Sequence, residues 1–294
     1  MSRLGVRKTY KLYVGGAFVR SESGRYDRAL GADDEHVANV PRASRKDVRD
    51  AMAAARKAAG PWAARTAYNR GQILYRAAEA VESRGEDLIG RAGAERRTDG
   101  AAPAAPLAPA DELAAAVDVL VHYAGWTDKI AAVLGGVNPV AAPFLSFSLP
   151  EPTGVVGVIA PDEPPLLGLV AEIAPALAAG NTVVAIVSER WPLPALDLAE
   201  VLGVSDVPGG VVNLLSGRRS ELAPALGAHR DLNAIVDAAG DGELSAELDR
   251  LAAETVKRAR HGAPAATYEA ATGDALARLE AVTEIKTAWH PVGA

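Results

Sequence analysis

VVGVIA (155–160), TVVAIV (182–187), VVNLL (211–215) and NAIVD (233–237) are four short apolar runs rich in β-branched residues. Helical patterns fill the intervals at 166–179, 193–203 and 219–227. Continuous apolar strands alternating with helices imply a parallel sheet covered on both faces, because each strand buries both of its sides. The crossovers should be right-handed. The expected fold class is therefore α/β, a doubly wound, Rossmann-like parallel sheet of the nucleotide-binding type.

Toward the N-terminus, YKLYVGGAFVR (10–20) reads as a hairpin around Gly15-Gly16. A helix is predicted over 45–59, opened by a capping-box pair, Ser44 and Asp47, and closed by Gly60-Pro61. A second helix is predicted over 67–93, with Ile73, Leu74, Ala77, Ala80, Val81, Leu88 and Ile89 in one stripe. TDGAAPAAPLAPA (98–110) reads as a flexible or polyproline-like loop. A third helix is predicted over 111–134, followed by extended, edge-type sequence over 138–150. Past Gly240-Asp241-Gly242 the pattern predicts a charged helix over 243–260, an irregular stretch, and a last β-type run, TEIKTAW (283–289).

The chain has 294 residues, 49% of them apolar and 23% charged, which suits one large or two modest globular domains. The formal net charge of −6 calls for neither nucleic acid nor an anionic membrane. No run of about 18 apolar residues offers a membrane span. The basic N-terminus lacks an apolar secretory core, so the cytoplasm is the expected compartment. The cysteine count is zero. This chain therefore supplies no disulfide, thiolate metal site, iron–sulfur ligand or cysteine nucleophile.

Several segments together resemble the aldehyde dehydrogenase superfamily. PEPTGVVGVIAP (150–161), EIAPALAAGNTVVAIVSE (172–189) and PGGVVNLLSG (208–217) are similar to the core of its cofactor domain. KLYVGGAFVRSESGR (11–25) and DVRDAMAAARKAAGPWA (47–63) resemble its N-terminal region. YAGWTDKI (123–130) resembles the helix before its oligomerisation hairpin, and LEAVTEIKTAW (279–289) its C-terminal strand. The resemblance divides the chain into a cofactor-type domain with N-terminal helices (1–136 and 155–262), a β oligomerisation arm (137–154 and 279–294), and a linker (263–278). That linker stands in place of the family's catalytic domain, which is expected to be absent.

The catalytic positions depart from the family pattern. Its nucleophile is a cysteine, and this chain has none. Its general-base motif Glu-Leu-Gly-Gly is missing. Its oxyanion-hole motif Pro-Trp-Asn-Phe-Pro matches Pro161-Asp162-Glu163-Pro164-Pro165, which puts Glu163 at the asparagine. A carboxylate there would repel a developing oxyanion. No catalytic residue is therefore assigned to this chain.

The resemblance implies vestigial cofactor contacts at Ser188, Glu189, Ser216 and Gly217. Glu189 matches the family's ribose-contacting glutamate, but its companion lysine is replaced by Ile186. Arg219 falls where the family has glycine, and Ala238-Ala239-Gly240-Asp241 puts an acid in a phosphate-facing turn. From residue type alone, Glu189 also reads as a solvated helix-start carboxylate and Gly217 as a turn glycine. Asp162 and Glu163 read as an acidic loop left free to drift. The five histidines show no metal-ligand spacing, so no metal site is expected. Arg250, Lys257, Arg258 and Arg260 read as the basic, solvated end of the helix over 243–260.

In the family the arm adds its strand to a neighbouring subunit's catalytic sheet, a β-augmentation. The expected interface residues are Phe144, Phe147, Thr283, Ile285, Thr287 and Trp289. Three functions follow as expectations. The first is a non-catalytic pseudoenzyme subunit assembling with a full-length NAD(P)-dependent aldehyde dehydrogenase, like the truncated, cysteine-free second unit of some two-unit members. The second is an NAD(P)-binding oxidoreductase with altered chemistry. The third is a stand-alone structural homo-oligomer. The first requires no cofactor in this chain and leaves weak, vestigial NAD(P) binding open.

Overall fold

A computed structural model describes residues 6–31, 35–88, 107–262, 265 and 267–292. Five strands form the parallel core: β8 (Val155–Ile159), β9 (Thr182–Ile186), β10 (Val212–Leu215), β11 (Ala234–Asp237) and β12 (Arg258–His261). The N-terminal hairpin β2 (Leu12–Val14) and β3 (Ala17–Val19) continues the sheet, giving the order β12-β11-β8-β9-β10-β2-β3. β2 runs antiparallel to β10. Its close approach needs glycine, since a Cβ on Gly16 would lie 2.6 Å from the Gly209 Cα. A smaller sheet joins β1 (Lys8–Thr9), β5 (His36–Pro41) and β4 (Tyr26–Leu30).

Every residue of β8 through β11 is buried, as a doubly covered parallel sheet requires. Alternate residues feed opposite cores. Val155, Ile159, Val184, Ile186 and Ile235 pack beneath α1 (Arg45–Ala63), α7 (Arg219–Gly227) and α8 (Gly242–Ala253). Val156, Val158, Val183 and Ala185 pack beneath α2 (Ala67–Ser83), α3 (Pro109–Trp126), α5 (Pro165–Ala178) and α6 (Leu193–Leu202). The short helix α4 (Ile130–Leu134) leads into the third sheet.

Several boundaries differ from the sequence expectation. α1 runs through Gly60-Pro61 to Ala63. The proline falls in its last turn, where one bond is lost, and Trp62 anchors that turn by donating its indole N–H to the Leu177 carbonyl at 3.3 Å. α2 stops at Ser83, with a further helical turn at 85–88; residues 89–93 of that expectation lie outside the described residues, as does most of the 98–110 loop. The helix expected over 111–134 breaks after Trp126 and resumes at Ile130. The helix expected over 243–260 ends at Ala253, and Arg258–His261 form the fifth parallel strand instead of a basic helix end.

Within the stretch expected as a linker (263–278), the described residues form α9 (Tyr268–Thr272) and the start of α10 (Ala275–Glu280). Ala271, Ala275 and Leu279 are buried in the main core. Glu172 of α5 anchors this region. It is buried and accepts hydrogen bonds from Arg260 Nη1 at 2.7 Å and from Arg278 Nη1. The third sheet, in the order β13-β7-β6, joins β6 (Gly136–Asn138), β7 (Phe144–Pro152) and β13 (Thr283–Pro291). β13 pairs β7 along its whole length.

Candidate functional site

Ligands of open α/β sheets bind beyond the carboxyl ends of the strands, where helix N-termini present free amides. The strand order reverses beside β8, so the loops after β8 and β11 flank the switch point. In this chain the crest is occupied by its own side chains.

Arg219 opens α7 and lies back over the strand ends, with its side chain only 13% exposed. Nη1 donates to Asp162 Oδ2 and Nη2 to Asp162 Oδ1, each at 2.8 Å, and Nη2 also reaches the Ala160 carbonyl at 2.7 Å. Its buried Nε has no partner. Asp162 Oδ1 further accepts from Ser188 Oγ at 3.0 Å and from the Glu189 and Arg190 amides at 3.0 and 3.2 Å. Asp162 is thus a hub joining β8, β9 and α7, which corrects the expectation of a drifting acidic loop. Glu163 is engaged as well, accepting from Trp191 Nε1 at 3.4 Å. Burial alone would raise the Asp162 carboxyl, but the charge and hydrogen bonds of Arg219, with those from Arg190 and Ser188, hold it below the usual range.

Glu189 follows β9 and turns toward α7. Its Oε2 accepts the Arg219 backbone N–H at 2.8 Å, and its Oε1 accepts Arg218 Nη1 at 3.0 Å. It is therefore not a freely solvated carboxylate. Ser188 is buried, with its hydroxyl shared between Asp162 and the Trp191 amide. Ser216 is fully buried and donates to the Pro41 carbonyl at 2.6 Å, so it faces the small sheet. Gly217 has φ +148°, and a Cβ on it would sit 3.1 Å from both the Ala43 amide and Leu222. That glycine is a packing requirement, in line with its reading as a turn residue.

Two other helix starts around the crest hold carboxylates too. Glu112 Oε1 accepts the Leu166 and Leu167 amides of α5 at 2.6 and 3.0 Å. Asp241 caps α8, accepting the Glu243 and Leu244 amides at 3.0 and 3.2 Å. Glu112 carried no sequence signal, because its target lies more than fifty residues along the chain. A cleft of about 240 Å³ opens beside Asp27, Ser188, Glu189, Gly217 and Arg218. Several groups that would face a dinucleotide at such a crest thus already carry intramolecular partners. Among the described residues no cluster suits a metal ion, and no helix is long and apolar enough to cross a membrane.

At the far edge of the crest, His261 ends β12 between two carboxylates. Its Nε2 lies 2.7 Å from Asp249 Oδ1 and its Nδ1 3.4 Å from Asp237 Oδ2. Burial pulls its pKa down, but the hydrogen bonds and charges of Asp249 and Asp237 outweigh that and raise it above 6.5. A base whose pKa is higher in the folded state stabilises the fold fully below its unfolded value. That contribution is lost as pH rises through the folded value. Urea midpoints should therefore fall as pH climbs from about 6.5 upward. His261→Gln should flatten that slope, and equal slopes in the two proteins would refute the assignment.

In the arm, Ile285 and Trp289 are 52% and 60% exposed, and Phe144 stacks edge-on to Trp289 with ring centroids 6.0 Å apart. Phe147 is half-buried. Thr287 is exposed and shares a hydrogen bond with Ser148 at 2.8 Å. Thr283 differs from expectation. It is buried at the arm's root and donates to the Leu279 carbonyl at 3.0 Å, so it cannot meet a partner. The outer edge of β13 has no strand beside it among the described residues.

Residues 18–266 match the aldehyde dehydrogenase family. An aldehyde dehydrogenase of Alternaria alternata is 35% identical over 226 residues, covering 76% of this chain and 44% of the relative. The cytosolic 10-formyltetrahydrofolate dehydrogenase of Xenopus tropicalis is 34% identical over 240 residues, covering 80% of this chain and 26% of the relative. Among solved structures, the aldehyde dehydrogenase of Bacillus cereus in its NAD⁺ complex superposes with a TM-score of 0.78 at 29% identity, covering 86% of this chain and 50% of that one. The chain spans half or less of these relatives' lengths. With the sheet order, the arm and this match across most of its residues, the chain belongs to the aldehyde dehydrogenase family.

Proposed function

We propose that this chain is a non-catalytic aldehyde dehydrogenase-family subunit that joins a full-length NAD(P)-dependent aldehyde dehydrogenase through its arm. The observation that carries the reading is a fully paired arm, with an open β13 edge and exposed Ile285 and Trp289, in a chain without a single cysteine. An open edge lined with large apolar groups is a template for strand addition and is costly to leave bare. A partner with its own catalytic sheet offers the acceptor. The partner also supplies the thiolate for aldehyde oxidation, so this chain contributes to assembly and not to chemistry. A role of this kind places it in the partner's compartment, expected to be the cytoplasm.

The test is co-expression with a full-length, cysteine-bearing aldehyde dehydrogenase of the same organism, followed by size-exclusion chromatography with light scattering. Co-elution at a fixed stoichiometry is expected. A chain ending at Thr283 should elute apart from the partner while keeping its core fold. Separate elution of the intact chains at micromolar concentration would sink the proposal. A stable homo-oligomer of this chain alone would instead favour the stand-alone structural reading.

A further inference from the structure

We infer that the crest of the parallel sheet is closed by an internal ion-pair plug built on Arg219, and that this plug excludes NAD⁺ and NADP⁺ from the chain. A dinucleotide binds such a crest by laying its phosphates on helix N-terminal amides and its ribose hydroxyls on a strand-end carboxylate. Several of those groups already have an intramolecular partner. The α7 amide of Arg219 is held by Glu189, the α5 amides of Leu166 and Leu167 by Glu112, and the α8 amides of Glu243 and Leu244 by Asp241. A phosphate would compete with a carboxylate at these positions, which weakens the attraction of the helix starts; the guanidinium is what closes the crest.

The Arg219 guanidinium adds a steric barrier. It spans from α7 to the end of β8, bound twice to Asp162 and once to the Ala160 carbonyl. Asp162 in turn binds Ser188 and the Glu189 and Arg190 amides at the end of β9. The side chains thus lace three strand ends together. The cleft of about 240 Å³ beside Glu189 and Gly217 is smaller than the roughly 300–1,000 Å³ of small-molecule sites. The closed crest is consistent with a subunit whose role is assembly, yet it stands or falls separately from the partner. Co-elution decides the assembly role, and titration of the isolated chain decides the plug.

The experiment is calorimetric titration of the intact chain with NAD⁺, NADP⁺ and NADH, paired with thermal melts at the same concentrations. The wild-type chain should show no saturable heat and no shift in melting temperature at millimolar dinucleotide. The double variant Arg219→Gly with Asp162→Asn removes the guanidinium and the carboxylate together, leaving no buried charge behind. It should gain saturable binding, at least tenfold tighter than any residual wild-type affinity. Saturable binding to the wild-type chain overturns the inference. So does a folded double variant that stays silent. If that variant fails to fold, Arg219→Ser with Asp162→Asn removes the same two charges and shortens the side chain without adding backbone freedom, and the same gain is required of it.

Discussion

Glu172→Gln should unfold this protein at a markedly lower temperature. Glu172 is 2% exposed and lies between two guanidinium groups, Arg278 with a side chain 5% exposed and Arg260 with one 16% exposed. The pair of arginines already outnumbers the single carboxylate. Without that carboxylate's charge, both cations would remain away from water with nothing to offset them. Breaking a buried ion pair from one side costs about 3–5 kcal/mol. For a chain of this size that corresponds to a fall of roughly 5–8 °C in melting temperature. The triple variant Glu172→Leu, Arg260→Met, Arg278→Leu should recover most of the loss, because it removes the charges and fills the same volume. Differential scanning calorimetry checks both. A single variant within about 1 kcal/mol of wild type would mean that water reaches the cluster.

The same cluster explains why part of the fold was hidden in the sequence. The four central strands were legible because each buries both faces, which forces a continuous apolar run. β12 is Arg-Ala-Arg-His and has no such run. It is an edge strand with one paired side, and its stability comes from carboxylates remote in sequence: Glu284 for Arg258, Glu172 for Arg260, and Asp237 with Asp249 for His261. Charge on that strand therefore read as a solvated helix end.

The candidate site shows the same limit. Asp162 and Arg219 each stood out alone, one as an acidic loop residue and the other as a bulky side chain at a glycine position. Their bidentate contact spans 57 residues and depends on β8 and β10 lying on either side of β9. Residue type and local spacing indicate that a phosphate-binding crest has changed. Only the register of the sheet brings the two side chains into contact. By contrast, the Ser44–Asp47 capping box is readable locally, because both of its partners lie within one helical turn.

Asn181→Ala should cost nearly as much as the loss of Glu172 and should also release the arm. Asn181 is fully buried at the turn between α5 and β9. Its Oδ1 accepts the Gly154 amide at 2.8 Å, where the arm strand β7 gives way to β8. Its Nδ2 donates to the Ala176 carbonyl at 3.2 Å and to the Val282 carbonyl at 2.9 Å, where α10 gives way to β13. One amide therefore fastens both roots of the arm to the core. Truncation leaves the Gly154 donor without this partner, takes one bond from the Val282 carbonyl, and opens a small cavity. Each buried polar group stripped of its partner costs about 1–3 kcal/mol, so the sum should reach roughly 3–4 kcal/mol. Hydrogen exchange should then show faster exchange over Phe144–Pro152 and Thr283–Pro291 than over the central strands, since the anchor serves the arm first. In the co-elution assay the variant should bind its partner more weakly even below its melting temperature, because a loosened strand must be ordered before it can add to another sheet. Uniformly faster exchange across arm and core would show that Asn181 serves global stability alone. An unchanged exchange pattern with full co-elution would show that the arm is positioned by its strand pairing with β7 and does not depend on this anchor.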